Sequence, residues 1–150
     1  MEKIPEFVAN HLFLFSLFIA ILVLLIWNIY GDMISGIRQV APTEATRLVN
    51  RENAIILDIR KQEDYLEGHI INAINIPMNE LENRKKELEK YKDRPVILYC
   101  MNGSESARAA RFIKQMGLEK TCYLKGGLIT WRNANMPVER NNQASSNGVT

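Results

Sequence analysis

An uncharged, strongly apolar stretch near the N-terminus divides this chain into parts that cannot share one water-soluble fold. It runs from Leu12 to Tyr30, reads LFLFSLFIAILVLLIWNIY, and contains 19 residues without a charge. About 20 helical residues cross the hydrocarbon core of a bilayer, which is roughly 30 Å thick. The sequence therefore predicts a transmembrane helix over residues 12–30, preceded by an N-terminal tail over residues 1–11.

A cleaved signal peptide is the competing interpretation of this stretch. The residues before it carry Glu2 and Glu6 against Lys3, the apolar run is long, and no clear A-x-A-like cleavage site follows it. These features favour a retained anchor that binds the lipid bilayer through residues 12–30.

Basic residues predict the orientation of this anchor. Lys3 is the only basic residue before the span, whereas Arg38, Arg47 and Arg51 follow it. The positive-inside rule therefore predicts that the C-terminal part of the chain faces the cytoplasm.

Composition limits the partners and the chemistry of the remaining chain. With 150 residues, one domain with appendages is expected. The 19 basic and 17 acidic residues give a formal charge of +2, which does not indicate a nucleic-acid partner. Two cysteines and two histidines lie too far apart in sequence for a disulfide framework or a metal-ligand motif, so no metal or other cofactor is expected.

Residues 31–41 are predicted to form a tether, and the polar residues 139–150 a disordered tail. Between them, predicted helices alternate with short apolar strands. Such alternation predicts an α/β fold with a parallel sheet covered by helices on both faces. The expected elements are a helix from Pro42 to about Asn50, strands at Ala54–Leu57 and Ala73–Ile76, a charged helix over Asn79–Tyr91, a strand ending at Tyr99, a helix over Ala107–Met116, a strand over Thr121–Leu124, and a helix after Gly126 and Gly127.

Cys100 follows one of these strands and opens the segment CMNGSES, which leads into a helix. Reactive residues collect at the carboxyl ends of parallel strands, and Asp58 ends a second strand at the same edge. Backbone N–H groups at a helix N-terminus stabilise an anion, and the thiolate is the nucleophilic form of cysteine. Cys100 is therefore predicted to be reactive, with a buried structural cysteine as the alternative. Cys122 lies within an apolar strand and is expected to be inert.

Two segments on either side of Cys100 resemble the signatures of rhodanese-homology domains. DIRKQEDYLEGHIINAINIP, from Asp58 to Pro77, resembles the N-terminal signature, and YLKGGLITW, from Tyr123 to Trp131, resembles the C-terminal one. The resemblance implies a rhodanese-like domain over residues 42–138. An apolar span followed by one such domain is similar to the small membrane-tethered rhodaneses of Gram-negative bacteria, which implies the inner (cytoplasmic) membrane.

This resemblance implies a sulfurtransferase. Cys100 would take the sulfane sulfur of a small donor, become a persulfide, and pass the outer sulfur to a thiol or another nucleophilic acceptor. Gly103 would let the loop curl around the sulfur, while Ser104 and Ser106 would offer hydroxyl groups; N-capping of the next helix is the alternative role for Ser106. The implied active-site loop is Met101, Asn102, Gly103, Ser104, Glu105 and Ser106.

One loop position departs from the family pattern. Rhodaneses that use thiosulfate commonly show Cys-x-x-Gly-x-Arg, and here the arginine position holds Glu105. A carboxylate there would repel thiosulfate and oppose deprotonation of Cys100, so thiosulfate is expected to be a poor donor. Arg60 and Arg108 are the candidates to bind an anionic donor instead, although a structural pair between Arg60 and Asp58 is the favoured interpretation.

The other matched positions are expected to be structural. His69 could act as an acid or base, but a hydrogen-bonded structural histidine is favoured. Gly126 and Gly127 suit a turn with positive φ, and Trp131 would anchor the last helix in the core. The structural signature residues are thus Asp58, Gly68, His69, Gly126, Gly127 and Trp131.

Two other functions compete with sulfur transfer. Phosphatase chemistry on this fold needs Cys-x5-Arg, and that arginine position holds Ser106. A non-catalytic or weakly catalytic binding module at the membrane is the stronger alternative, since Glu105 could reflect a relaxed catalytic demand. In either case, tethering would raise the effective concentration of the domain near a membrane protein partner.

Overall fold

The structure is a computed structural model that describes residues 11–34 and 36–141 of the chain. It divides into two compact units, Met1–Gly36 and Ile37–Thr150. Most of the predicted N-terminal tail, residues 1–10, and residues 142–150 of the predicted disordered tail lie outside the described residues.

The first unit contains helix α1, Leu12–Ile34. The large apolar side chains of its residues 12–27 are exposed, with Phe13 at 78% and Trp27 at 76%. By length and apolarity taken together, no helix in the described part of the chain qualifies to cross a membrane. The anchor over residues 12–30 therefore stays a prediction.

The second unit is built on a five-stranded parallel sheet with strand order β1-β6-β5-β2-β4. A separate two-stranded antiparallel ribbon joins β3 to β7. The predicted α/β fold with a parallel sheet is confirmed. The strands are β1 Arg38–Val40, β2 Ile55–Asp58, β3 His69–Ile70, β4 Ile74–Asn75, β5 Val96–Tyr99, β6 Thr121–Leu124 and β7 Val138–Glu139.

Five helices and a short 3-10 turn connect these strands. Helix α2 begins with Pro42, at a position where a backbone N–H would have no partner within the helix. Asn53, in the left-handed conformation, caps its C-terminus. The helices of the second unit are α2 Pro42–Glu52, α3 Gln62–Glu67, α4 Lys85–Glu89, α5 Ser106–Gln115 and α6 Gly127–Asn133, with the 3-10 turn at Met78–Glu80.

Two hydrophobic clusters pack against the sheet, and alternation along β5 assigns side chains to each. Ile97 and Tyr99 belong to the cluster that includes Leu48 of α2 and Trp131 of α6. Val96, Leu98 and Cys100 belong to the other cluster, which includes residues of α4 and α5. This period of two places the Cys100 side chain on the α5 side of the sheet.

Three parts of the sequence-based assignment were wrong. Residues 31–34 of the predicted tether continue helix α1, and residues 38–40 form the edge strand β1, which was missed because only Val40 in it is buried. The predicted helix over Asn79–Tyr91 is broken, since Arg84 leaves helical geometry and its guanidinium donates to the carbonyl of Asn75. Glu139, assigned to the tail, pairs in β7 with His69.

Candidate active site

Cys100 directly follows β5, and its side chain is 4% exposed. Two donors converge on its sulfur: the Gly103 N–H, with N 3.1 Å from Sγ, and the Ser106 hydroxyl, with Oγ 3.2 Å from Sγ. Gly103 has a φ of +89°, which only glycine adopts readily, so the loop can turn its N–H back toward the sulfur. This arrangement can hold a negatively charged sulfur.

Hydrogen bonds within the loop separate the roles of the two serines. Asn102 Oδ1 accepts from the N–H and the hydroxyl of Ser104, at 3.1 and 2.7 Å, so the Ser104 hydroxyl donates to Asn102 and not to the sulfur. Ser106 is fully buried and is not the N-cap of α5, a position held by Glu105 without a side-chain capping bond. Ser106 thus points its hydroxyl into the site instead of capping the helix.

The first turn of α6 lies directly against this loop. The N–H groups of Leu128 and Ile129 donate to the carbonyls of Cys100 and Met101, at 2.9 and 3.1 Å. A Cβ on Gly127 would lie 2.4 Å from the Cys100 carbonyl oxygen and 2.8 Å from the Gly103 nitrogen. Only a residue without a side chain fits there, so the glycine lets the N-terminus of α6 approach closely enough to bind the loop carbonyls.

The sequence had indicated a different reason for the two glycines. Gly126 and Gly127 do have positive φ angles, +69° and +60°. Their close approach to the cysteine loop was not foreseen, because it joins segments more than 20 residues apart in the chain. The pairing of two glycines, where one suffices for most turns, was the only signal of it.

A cavity of about 570 Å³ opens over Cys100. Glu105 lines it, as the sequence suggested, whereas exposed Arg108 is not among its lining residues. Two charged residues that the sequence did not single out, Lys61 and Asp64, also line it. The full lining is Ile59, Arg60, Lys61, Asp64, Pro77, Met78, Asn79, Cys100, Met101, Asn102, Ser104 and Glu105.

Arg60 reaches the cavity but its guanidinium is engaged elsewhere. Its Nε lies 3.1 Å from both carboxylate oxygens of Asp58, and its Nη2 donates to Asp58 Oδ2 and to the Gly68 carbonyl, each at 2.7 Å. Burial acts to lower the pKa of Arg60, but the hydrogen bonds and charge of Asp58, together with Tyr99, outweigh it and the pKa is raised. The structure therefore contains the favoured structural pair, with both side chains buried.

The remaining signature residues hold the scaffold. His69 is buried, stacks on the Tyr65 ring at 3.8 Å, and places Nδ1 2.8 Å from the Tyr65 carbonyl oxygen. It is not among the residues that line the cavity. Trp131 is buried and its Nε1 donates to the Pro137 carbonyl at 3.0 Å, which ties α6 to the chain that follows it.

Cys122 occupies a different environment from Cys100. It is buried within β6, in the cluster on the opposite face of the sheet. Burial raises the pKa of Cys122 to about 11. This thiol stays protonated near neutral pH and is a poor nucleophile.

In this domain the central strand of a parallel sheet ends next to a cysteine, and the loop that follows donates hydrogen bonds to its sulfur. Rhodanese-like domains are a class of proteins with this arrangement, and the family comparison assigns the chain to that class. The model of the rhodanese-like domain matches residues 41–134, and the chain belongs to that family.

Relatives of known sequence or structure extend this result. The uncharacterised protein YibN of Escherichia coli K12 is 34% identical over 141 residues, which cover 93% of this chain and 99% of YibN. The thiosulfate sulfurtransferase GlpE of Coxiella burnetii is 33% identical over 63% of this chain and 87% of GlpE. The crystal structure of a rhodanese-related protein from Thermoplasma volcanium is 30% identical and matches with a TM-score of 0.61, over 68% of this chain and 97% of that one.

Proposed function

We propose that this protein is a membrane-anchored sulfurtransferase that relays sulfane sulfur through a persulfide on Cys100. The observation that carries the proposal is the pair of donors on Sγ, the Gly103 N–H and the Ser106 hydroxyl, at the base of an open cavity. A thiolate and a persulfide anion both need such donors. The similarity to a protein named thiosulfate sulfurtransferase supports the same reaction class.

The reaction is a two-step exchange of one sulfur atom. The Cys100 thiolate attacks the outer sulfur of the donor, the donor S–S bond breaks, and the leaving group departs with the electron pair as a thiolate, or as sulfite when the donor is thiosulfate. An acceptor thiolate then attacks the terminal sulfur of the Cys100 persulfide. The second S–S bond breaks and Cys100 leaves as a thiolate, so the enzyme undergoes no net oxidation.

A binding module without catalysis would need none of this geometry around the sulfur. A buried structural cysteine needs no donors, and a hydroxyl in the core is normally satisfied by a carbonyl instead of a sulfur. The fully buried Ser106 hydroxyl donates to Sγ, which favours the catalytic interpretation.

Mass spectrometry of the full-length protein in detergent tests the reaction. After incubation with a sulfane-sulfur donor, the intact protein should gain one sulfur, about 32 Da, which cyanide or a thiol acceptor removes. Cys100→Ser should abolish the adduct and Cys122→Ser should keep it. An adduct confined to Cys122 would overturn the proposal.

The anchor is the second element of the proposal. The support is the uncharged run from Leu12 to Tyr30 and the exposure of the large apolar side chains of residues 12–27 in α1. A helix that is apolar all round needs an apolar environment, and a bilayer supplies one. We place the anchor in the bacterial inner membrane with the C-terminal domain in the cytoplasm, where it would meet its small donor, its acceptor and any partner within the membrane.

Fractionation and labelling test the anchor and its orientation separately. The protein should stay with membranes after a carbonate wash and enter detergent. In whole cells, a membrane-permeant maleimide should label Cys100 and an impermeant one should not. Release by carbonate would refute the anchor, and labelling by the impermeant reagent would reverse the orientation.

A further inference from the structure

The charged groups around Cys100 suit a donor that carries both signs of charge. Arg60 is neutralised by its buried partner Asp58. The cavity then retains one ammonium group, on Lys61, and two carboxylates, on Asp64 and Glu105. The wall of the cavity therefore holds one more negative than positive charge.

These three charged groups are available to a ligand. Lys61, Asp64 and Glu105 are all exposed, and none has an ion-pair partner within residues 11–34 and 36–141. Lys61 stands at the N-cap of α3 and Asp64 in its first turn, whereas Glu105 belongs to the cysteine loop. The cation and one carboxylate thus come from one segment of the chain, and the second carboxylate comes from another.

The same wall contains uncharged surfaces for the rest of a small ligand. Met78 and Met101 provide apolar area, and Asn79 and Asn102 provide amide groups. A dianion such as thiosulfate would meet two carboxylates and only one cation in this cavity. A small aminothiol derivative would place its ammonium against a carboxylate and its short carbon chain against the methionines.

From this arrangement we propose that the donor is an α-amino-acid persulfide of the cysteine persulfide type, whose ammonium is held by Asp64 and Glu105 and whose carboxylate is held by Lys61. The inference rests on the proposed function and specifies its donor class. The Cys100 thiolate attacks the terminal sulfur of the protonated donor persulfide, the donor S–S bond breaks, and cysteine leaves as its thiolate and takes a proton from water. The Cys100 persulfide formed in this step is the one described above.

The test uses three donors that differ in charged groups. Besides the persulfide group that both share, cysteine persulfide carries an ammonium and a carboxylate and cysteamine persulfide carries an ammonium only, whereas thiosulfate is a dianion with neither group. The measured quantity is kcat/KM for the transfer of sulfur to Cys100. Mass spectrometry of the full-length protein, quenched at successive times, gives this value. Because the donors differ in reactivity toward any thiol, the informative quantity is the change in kcat/KM between variants for one donor.

Each charge makes a distinct prediction. Asp64→Asn and Glu105→Gln should each lower kcat/KM about threefold to tenfold for both aminothiol persulfides and raise it by a similar factor for thiosulfate. Lys61→Gln should lower it for cysteine persulfide and thiosulfate but not for cysteamine persulfide. Glu119→Gln and Lys92→Gln are matched controls, since these exposed residues do not line the cavity. Neither control variant should change kcat/KM for any of the three donors.

The outcomes separate the donor class from the function itself. If the wild-type protein acquires sulfur on Cys100 but each of the three cavity variants changes kcat/KM by the same factor for all donors, the donor inference is wrong and the sulfurtransferase proposal stands. If none of the three donors places a sulfur on Cys100, both proposals are overturned. If Asp64→Asn slows thiosulfate as much as cysteine persulfide, the carboxylate acts through structure, and the inference is again refuted.

Discussion

Replacing Gly127 with alanine should damage the cysteine loop more than the same replacement at Gly103 or Gly117. Gly127 has a φ of +60°, where an L-residue costs about 1–3 kcal/mol. Its new Cβ would also lie 2.4 Å from the Cys100 carbonyl oxygen and 2.8 Å from the Gly103 nitrogen. Backbone atoms must move to relieve these overlaps, which adds about 1–3 kcal/mol.

The displaced loop should also lose reactivity. The overlaps push on the same peptide groups that aim the Gly103 N–H at Sγ, 3.1 Å away. A shift of about 1 Å at a reacting centre can reduce a rate about a hundredfold, and removing one anion-holding donor has a similar effect. We expect Gly127→Ala to lower the rate of Cys100 persulfide formation by about tenfold to a hundredfold and the free energy of unfolding by about 2–6 kcal/mol.

Two other glycines calibrate this prediction. Gly117 has a φ of +102° but no atom within 4 Å of the place where a new methyl group would lie, so Gly117→Ala should cost only the conformational term and leave the rate unchanged. Gly103→Ala would place its Cβ 3.2 Å from the Gly126 nitrogen, so its effect should be intermediate. Denaturant unfolding and quenched mass spectrometry give the two readouts. Wild-type persulfide formation in folded Gly127→Ala and Gly103→Ala would refute the role assigned to this contact.

Four further changes test other parts of the site. Ser106→Ala should slow persulfide formation about tenfold with every donor, because the sulfur loses a hydroxyl donor; equal rates would refute that role. Glu105→Arg should raise kcat/KM for thiosulfate about tenfold to a hundredfold, measured by sulfite release, and no gain across pH 6–9 would refute the electrostatic argument. Asp58→Asn should destabilise the domain by about 3–5 kcal/mol in urea unfolding, because Arg60 keeps a buried charge without its partner. The pKa of Cys122 is raised to about 11 in the folded protein, so on raising the pH the unfolded chain loses this proton at a lower pH than the folded protein does. The free energy of unfolding should therefore fall as pH rises from about 9 to 11, and it should fall less in Cys122→Ala.

The parts of the fold predicted from sequence are those with a strong local pattern. The apolar strands β2, β5 and β6 lie close to their expected bounds, because their side chains are buried on both faces and read as continuous apolar runs. Because the same pattern predicted parallel strands, it also predicted that Asp58 and Cys100 lie close together at the carboxyl edge of the sheet.

Elements held by tertiary contacts had no such pattern. Strand β1 has three residues with one buried, and helix α3 has six residues with none buried. Lys61 and Asp64 were missed as cavity residues for the same reason, since their positions depend on α3. The contact of Gly127 with the Cys100 carbonyl depends on how α6 packs, which residue spacing alone does not encode.

Two kinds of electrostatic group surround Cys100, and they should control different steps. The Gly103 N–H and the Ser106 hydroxyl contact the sulfur itself, so they act on the thiolate and on the persulfide whatever donor supplied the sulfur. The formal charges of Lys61, Asp64 and Glu105 lie in the wall of the cavity and act on the rest of the donor. Changes to the sulfur contacts should therefore scale the rates of all donors together, whereas changes to the wall should reorder the donors. A wall variant that slowed every donor equally, with no change in their order, would show that the two groups cannot be separated in this way.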